Sequence, residues 1–119
     1  MFDVEIYESA NGKSPVSDFI EELNVKSRTS KDSRIRLKKI SEYINQLKAY
    51  GTWAGLPAMK HIEDDIWELR PLSDRFFFAY WKDKTFIILH HFYKTTQKTP
   101  RLEIEKAKQL LKEFLERGE

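Results

Sequence analysis

The chain has 119 residues, 40% hydrophobic and 34% charged, which suits one ordinary domain and is too apolar for wholesale disorder. Cysteine is absent, which excludes disulfides, thiol nucleophiles and every zinc site built on thiolate, and no stretch approaches the roughly 18 apolar residues of a membrane span. Lys plus Arg number 21 against 19 acids, so the net charge of +2 does not by itself argue for nucleic acid.

Phe2, Val4 and Ile6 alternate with Asp3, Glu5 and Tyr7, the period of a strand with one buried face, and Asn11-Gly12 breaks it. Ser14-Pro15 starts a short amphipathic helix with Val16, Phe19, Ile20 and Leu23 on its apolar stripe. Leu37, Ile40, Ile44 and Leu47 predict a longer helix over 32–50, closed by Gly51. A stretch with Gly51, Gly55 and Pro57 follows, without clear periodicity and long enough to mean function or disorder. Residues 66–71, 75–81 and 85–93 read as three strands joined by short connections, hence an antiparallel meander. Thr99-Pro100 repeats the cap-then-proline start, and Ile104, Ala107, Leu111 and Phe114 make a third apolar stripe ending at Gly118, with residues 116–119 a frayed tail.

The order βααβββα, with hairpin-joined strands, predicts an α+β fold: a mostly antiparallel sheet with helices packed on one face and the other face left open. The acids near the N-terminus, Asp3 and Glu5, are the reverse of a signal peptide's basic head, so the expected location is cytoplasmic. Charge is segregated: Lys26 to Lys48 contains only Asp32 and Glu42 against eight bases, while Glu63, Asp64 and Asp65 gather mid-chain. Such runs favour an anionic partner or are simply solvated helix faces.

GxGxxG, P-loop, GxSxG and HExxH patterns are missing, so nucleotide-cofactor, serine-hydrolase and zincin chemistry lack support. The cluster His61-Ile62-Glu63-Asp64-Asp65 has no metal-site spacing and is set aside. What remains is cationic and imidazole chemistry on the meander. Arg70 ends one strand and Arg75 opens the next, so they are neighbours by construction, while His90, His91 and Lys94 end the third. Two adjacent guanidiniums need an anion; phosphate suits the planar fork, and pairing with Glu68 or Asp74 is the structural alternative. Of His90 and His91, one faces the helices and the other the open surface, and a strand histidine is more often structural than catalytic.

These residues resemble the RelE/ParE superfamily of type II toxin–antitoxin toxins, and within it the phage-derived HigB-like branch. Ile66-Trp67-Glu68-Leu69-Arg70 followed by Arg75-Phe76-Phe77-Phe78-Ala79-Tyr80 looks like its "WELR…R-F-R-x-x-Y" pattern, and residues 89–100 resemble its "L-H-x-F-x-K-K-T-x-K-T-P" tail. With the helical hairpin in front, the likeness spans nearly the whole chain, which implies a single toxin domain over 1–119. It implies a RelE-like fold and a metal-independent, cofactor-free endoribonuclease that cuts messenger RNA on the ribosome. The ribose 2′-hydroxyl attacks the scissile phosphate, and a helix-turn-helix, HigA-like antitoxin neutralises the toxin in a hetero-oligomeric complex.

Carried over by position, the resemblance makes Arg70 and Arg75 the phosphate grip, His90 an acid or base, and Lys94 a phosphate contact or proton donor. Lys98, Tyr93, Phe92, His91 and Lys60 become RNA contacts, with Phe92 the better fit to a core. The chain departs from the pattern at Trp67 and Glu68, where several RelE-like toxins have lysines, at Thr95 in place of a second base, and at Phe77 in place of another arginine. Two further readings stay open: a ParE-like DNA gyrase poison without nuclease activity, and an inactive antitoxin-binding co-regulator.

Overall fold

The computed structural model describes residues 1–117. Its elements are β1 (Asp3–Ile6), α1 (Pro15–Lys26), α2 (Lys31–Tyr50), β2 (Met59–Glu63), β3 (Ile66–Leu69), β4 (Asp74–Tyr80), β5 (Thr85–Tyr93) and α3 (Arg101–Glu116), with a 3₁₀ turn at Gly51–Ala54. The strands form one sheet in the order β1-β5-β4-β3-β2. All neighbours are antiparallel except β1 and β5, because β1 reaches its place beside β5 by a crossover through the whole chain between them. No helix among the described residues is long and apolar enough to cross a membrane.

Local signals account for most boundaries. Ser14 accepts the Ser17 amide and Pro15 opens α1; Ser30 accepts the Ser33 amide at the start of α2. Gly51 closes α2 at φ +59, where a Cβ would stand 2.8 Å from the Phe2 ring, so both the backbone sign and the space require glycine. The third start behaves differently. Pro100 is the N-cap of α3 and offers no side-chain cap, and the Thr99 hydroxyl turns instead to Glu68. The predicted end of that helix at Gly118 lies outside the described residues, while Glu116, placed in the frayed tail by the sequence, is helical.

The α+β class and the mostly antiparallel sheet stand as expected, and two details differ. First, the sheet has helices on both faces. Leu23, Ile40 and Leu47 of α1 and α2 pack with Phe76, Phe78, Phe86 and Ile88, while Ile104, Ala107, Leu111 and Phe114 of α3 pack with Phe77, Ala79, Ile87 and Leu89 on the opposite face. The physical reason is the continuous apolar run Phe76-Phe77-Phe78-Ala79, which has no polar parity to leave in water. Burying each phenylalanine contributes about 1.5–3 kcal/mol. Second, the aperiodic stretch after Gly51 contains β2, an edge strand whose irregular register against β3 interrupts the alternation around Ile62.

Candidate functional site

Pairing across the sheet puts the singled-out residues in rows. Lys60 lies opposite Glu68, Glu68 opposite Phe77, and Phe77 opposite His90. Beyond that row the Arg70 amide bonds the Ala58 carbonyl at 2.8 Å, which keeps Arg70 beside β2 past the end of β3, and Arg75 lies opposite Phe92. Phe77 belongs to the α3 side of the core, so with side chains alternating along each strand Glu68, Arg70 and Arg75 share that face. None of the three belongs to the apolar core that packs against α3 on that face.

Glu68 is the centre of this group. Its carboxylate is 1% exposed, with Arg70 Nε at 3.4 Å and Arg75 Nε at 3.9 Å from Oε1. The Thr99 hydroxyl donates to Oε2 at 3.4 Å. Neither Nε has a hydrogen-bond partner, although both atoms are buried. Unpartnered buried donors of this kind are rare enough to need a reason. Arg75 is fixed further by its Nη1, which donates to the carbonyls of Leu72 at 2.5 Å and Asp74 at 3.0 Å. Leu72 holds a left-handed φ of +56, an uncommon conformation for a branched side chain, in the turn between the two arginines.

A cleft of about 320 Å³ opens over Glu68, walled by Lys60, Arg70, Lys94 and Lys98. Arg75 is not one of its walls but approaches Glu68 from behind them, with Nε 3.9 Å from the carboxylate, so two guanidiniums contact that carboxylate and three lysines line the cleft with it. Burial pushes the Lys94 ammonium below the ordinary lysine value. Glu68 opposes that shift, and Arg75, Arg70 and Lys60 add to it. Burial likewise lowers Arg75, against the pull of Glu68 and with the help of Arg70. The net excess of positive charge suits a polyanion such as phosphate.

Of the sequence-selected residues, Arg70, Arg75, Lys94, Lys60 and Lys98 come together. The two histidines do not join them. His90 points toward α3 and bonds Glu103 at 2.6 Å, on the far side of Phe92 and Phe77 from the arginine pair. His91 points to the other face, where it bonds Asp74 at 2.9 Å and stacks on Phe19 at 3.7 Å. Both therefore face helices, contrary to the expectation that one would face an open surface. A register shift in the β4–β5 pairing makes room for Leu89 as an extra residue before His90. Phe92 is buried in the core, and Tyr93 is half-exposed with Arg36 over its ring at 5.1 Å.

The alternative in which each arginine pairs with a carboxylate such as Glu68 or Asp74 resolves as one shared carboxylate, Glu68, which is buried. Asp74 belongs instead to Arg36, which donates two bonds at 2.7 and 3.0 Å, and to His91. Glu63 and Asp64 of the acidic cluster are engaged by Lys108, and Glu63 also by Arg101. Sequence reading missed the centrality of Glu68 and Thr99. The signal was there: Glu68 shares the parity of buried Ile66 in a strand, and a carboxylate at an inward position needs cations.

A family model described as phage-derived protein Gp49-like (DUF891) matches residues 18–112, the span that contains every residue of the cleft. The chain belongs to the Gp49-like family. Among solved structures this Gp49-like chain is similar to the YoeB-YefM complex from Staphylococcus aureus, with a TM-score of 0.51 and 15% identity. The likeness covers 79% of this chain and 98% of that one, and at this identity it speaks for the fold, which is RelE-like. No curated protein matches the Gp49-like chain.

Proposed function

We propose that this Gp49-like protein is the toxin of a type II toxin–antitoxin pair, of the HigB-like branch, and that it cuts messenger RNA on the ribosome without a metal. One observation supports this above the others: a cleft walled by Lys60, Arg70, Lys94 and Lys98 has a single buried carboxylate in its wall, and that carboxylate draws Arg70 and Arg75 together without closing a hydrogen bond to either. In the reaction the ribose 2′-hydroxyl gives its proton to solvent water and attacks phosphorus, the bond from phosphorus to the 5′-oxygen breaks, and that oxygen departs with a proton. A 2′,3′-cyclic phosphate and a 5′-hydroxyl are left.

Arg70 and Arg75 grip the phosphate and stabilise the charge that grows on its oxygens. Lys94, whose burial makes its proton easier to give up, donates to the leaving oxygen. The proton role of His90 passes to Lys94, because Glu103 holds the imidazole away from the arginines. Lys60 and Lys98, both exposed on the cleft, contact the RNA backbone, whereas Tyr93, next to Phe92 and under Arg36, faces the other side and drops out of the set. The modest net charge fits an enzyme whose ribosome supplies much of the substrate positioning, which makes the cytoplasm the place of action.

The structural neighbour is a complex of YoeB with YefM, which supports an antitoxin partner here, of the HigA-like helix-turn-helix kind in a hetero-oligomer. Because α3 already covers the face once expected to be open, that antitoxin acts by obstructing the cleft or the ribosome contact.

Induction of the protein in cells, with mapping of messenger 5′ ends, tests the proposal. Breaks confined to translated messages, absent with Arg70→Ala, are the expected result. Intact messages accompanied by DNA damage would replace the reading with a gyrase poison. Intact messages, undamaged DNA and retained antitoxin binding would leave a co-regulator.

A further inference from the structure

We propose that Glu68 is the positioning residue of this cleft: its buried carboxylate holds Arg70 and Arg75 side by side by their Nε edges, leaves the Arg70 Nη atoms and Arg75 Nη2 for one shared anion, and anchors the start of the α3 segment through Thr99. The inference deepens the reading of the cleft as a phosphate site and rests on it. Left to themselves, two guanidiniums on adjacent strand ends repel and turn apart into water. Glu68 removes that choice. It lies in the row before them on the same face, 3.4 Å from one Nε and 3.9 Å from the other, at an exposure of 1% that denies it any solvent partner.

The geometry is looser than a structural salt bridge would be. Neither Nε forms a hydrogen bond, whereas the structural ion pair of this fold, Arg36 with Asp74, closes with two short bonds at 2.7 and 3.0 Å. The chain thus builds a tight bidentate pair where it needs a lock and leaves Glu68 with two partial ones, as a ligand-binding arrangement requires. On the other side the Thr99 hydroxyl, released from capping α3, donates to Oε2, so Glu68 also fixes the segment that carries Lys94 and Lys98.

A consequence follows for Lys94. The charged groups that face it are Glu68 on β3, Arg70 just beyond β3, Arg75 on β4 and Lys60 on β2; Glu68 alone among them favours the ammonium. Removing that charge lets the three cations act unopposed, and the Lys94 proton affinity falls.

The experiment compares the full-length wild type with Glu68→Gln and Glu68→Asp, reading Lys Nζ and Arg Nε resonances by NMR across pH, together with the pH profile of message cleavage. Glu68→Gln keeps shape and hydrogen-bonding capacity without charge. It is expected to titrate Lys94 about 1 pH unit lower than the wild type, to move the alkaline limb of cleavage down with it, and to shift both Arg Nε resonances. Glu68→Asp keeps the charge but withdraws it from the arginines, so the Lys94 titration stays near native while the rate falls and the Arg Nε resonances change. If Glu68→Gln is too unstable to study, Thr99→Val, which loosens the carboxylate from outside, is expected to shift the same resonances by less. An unmoved Lys94 together with unmoved Arg Nε resonances overturns the inference, even where messages are cut. A shifted Lys94 and shifted Arg Nε resonances in a protein that cuts no message uphold it and bring down the nuclease reading instead.

Discussion

The two arginines of the cleft differ in how the protein uses them, and that difference is measurable. Arg70 keeps 28% of its side chain exposed, and that side chain forms no hydrogen bond among the described residues, only the 3.4 Å ion pair with Glu68, so the fold asks less of it. Arg75 is only 11% exposed and clamps two carbonyls of the strained turn at Leu72 while neutralising Glu68. Arg70→Ala is expected to lose cleavage by at least about 100-fold and to lose less stability than Arg75→Ala, since each leaves Glu68 half-paired but only Arg75→Ala also strips two carbonyls of their donor. Arg75→Ala is expected to lose cleavage and also roughly 2–4 kcal/mol of stability, because it leaves a buried carboxylate half-paired and two carbonyls without a donor. Thermal melts of the two variants, read beside growth after induction, separate the roles. A Glu68→Gln change added to Arg75→Ala removes the uncompensated charge and recovers part of the lost stability.

At the scale of elements, the Arg36–Asp74–His91 group joins α2 to β4 and β5, with Phe19 of α1 stacked on the imidazole. Asp74 is fully buried. Burial alone raises its pKa, and the bonds from His91 and Arg36 outweigh it, so the carboxyl ends below the ordinary aspartate value. A carboxyl whose folded pKa lies under its unfolded one adds stability above the unfolded value and loses it as pH falls through the folded one. Stability of the wild type is therefore expected to drop below about pH 4. Asp74→Asn is expected to be less stable by about 3 kcal/mol at neutral pH and to show a shallower acid drop. The drop is not abolished, because Glu63, brought to about 2 by Arg101 and Lys108, titrates in the same range. Urea unfolding at pH 7, 4 and 3 checks both parts; a variant with the same acid slope as the wild type would mean that Asp74 is not a source of it.

The same elements show what the sequence made legible. The capped starts of α1 and α2, the glycine stop at Gly51 and the meander β3–β5 follow from local chemistry, and reading them needed no tertiary knowledge. The arginine pair was legible for the same reason, since a short hairpin leaves its flanking residues no other place. What escaped reading depends on contacts far apart in sequence. β2 has a single fully buried side chain, Met59, and an irregular register, so its periodicity is too weak to show alone. The outward or inward fate of His90 and His91 turns on one extra residue in β5, which no propensity reports. Thr99 looked like a cap because it precedes proline, yet a buried carboxylate brought from β3 outbid the helix for its hydroxyl.

For the molecule as a whole, the continuous apolar runs of β4 and β5 mean that the sheet is the middle layer of three, and neither outer layer is dispensable. Removing α3 would uncover Phe77, Ala79, Ile87, Leu89 and Phe92, which are all buried now. The large side chains that α3 contributes, Ile104, Leu111 and Phe114, stabilise by about 1.5–3 kcal/mol each, and their sum rivals the ~5–15 kcal/mol that separates a folded protein of this size from its unfolded ensemble. The loss also reaches the cleft, because the helix anchors the segment 94–100 that carries Lys94, Lys98 and Thr99. A chain truncated after Pro100 is therefore expected to lose near-ultraviolet circular dichroism and to elute as aggregate. The milder Leu111→Ala is expected to stay folded and to lose about 2–4 kcal/mol while leaving the Arg70–Glu68–Arg75 group and its activity in place. A truncated chain that remained monomeric and cooperatively folded would show instead that the α1–α2 side alone sustains the sheet, and that the face toward α3 is available for another partner.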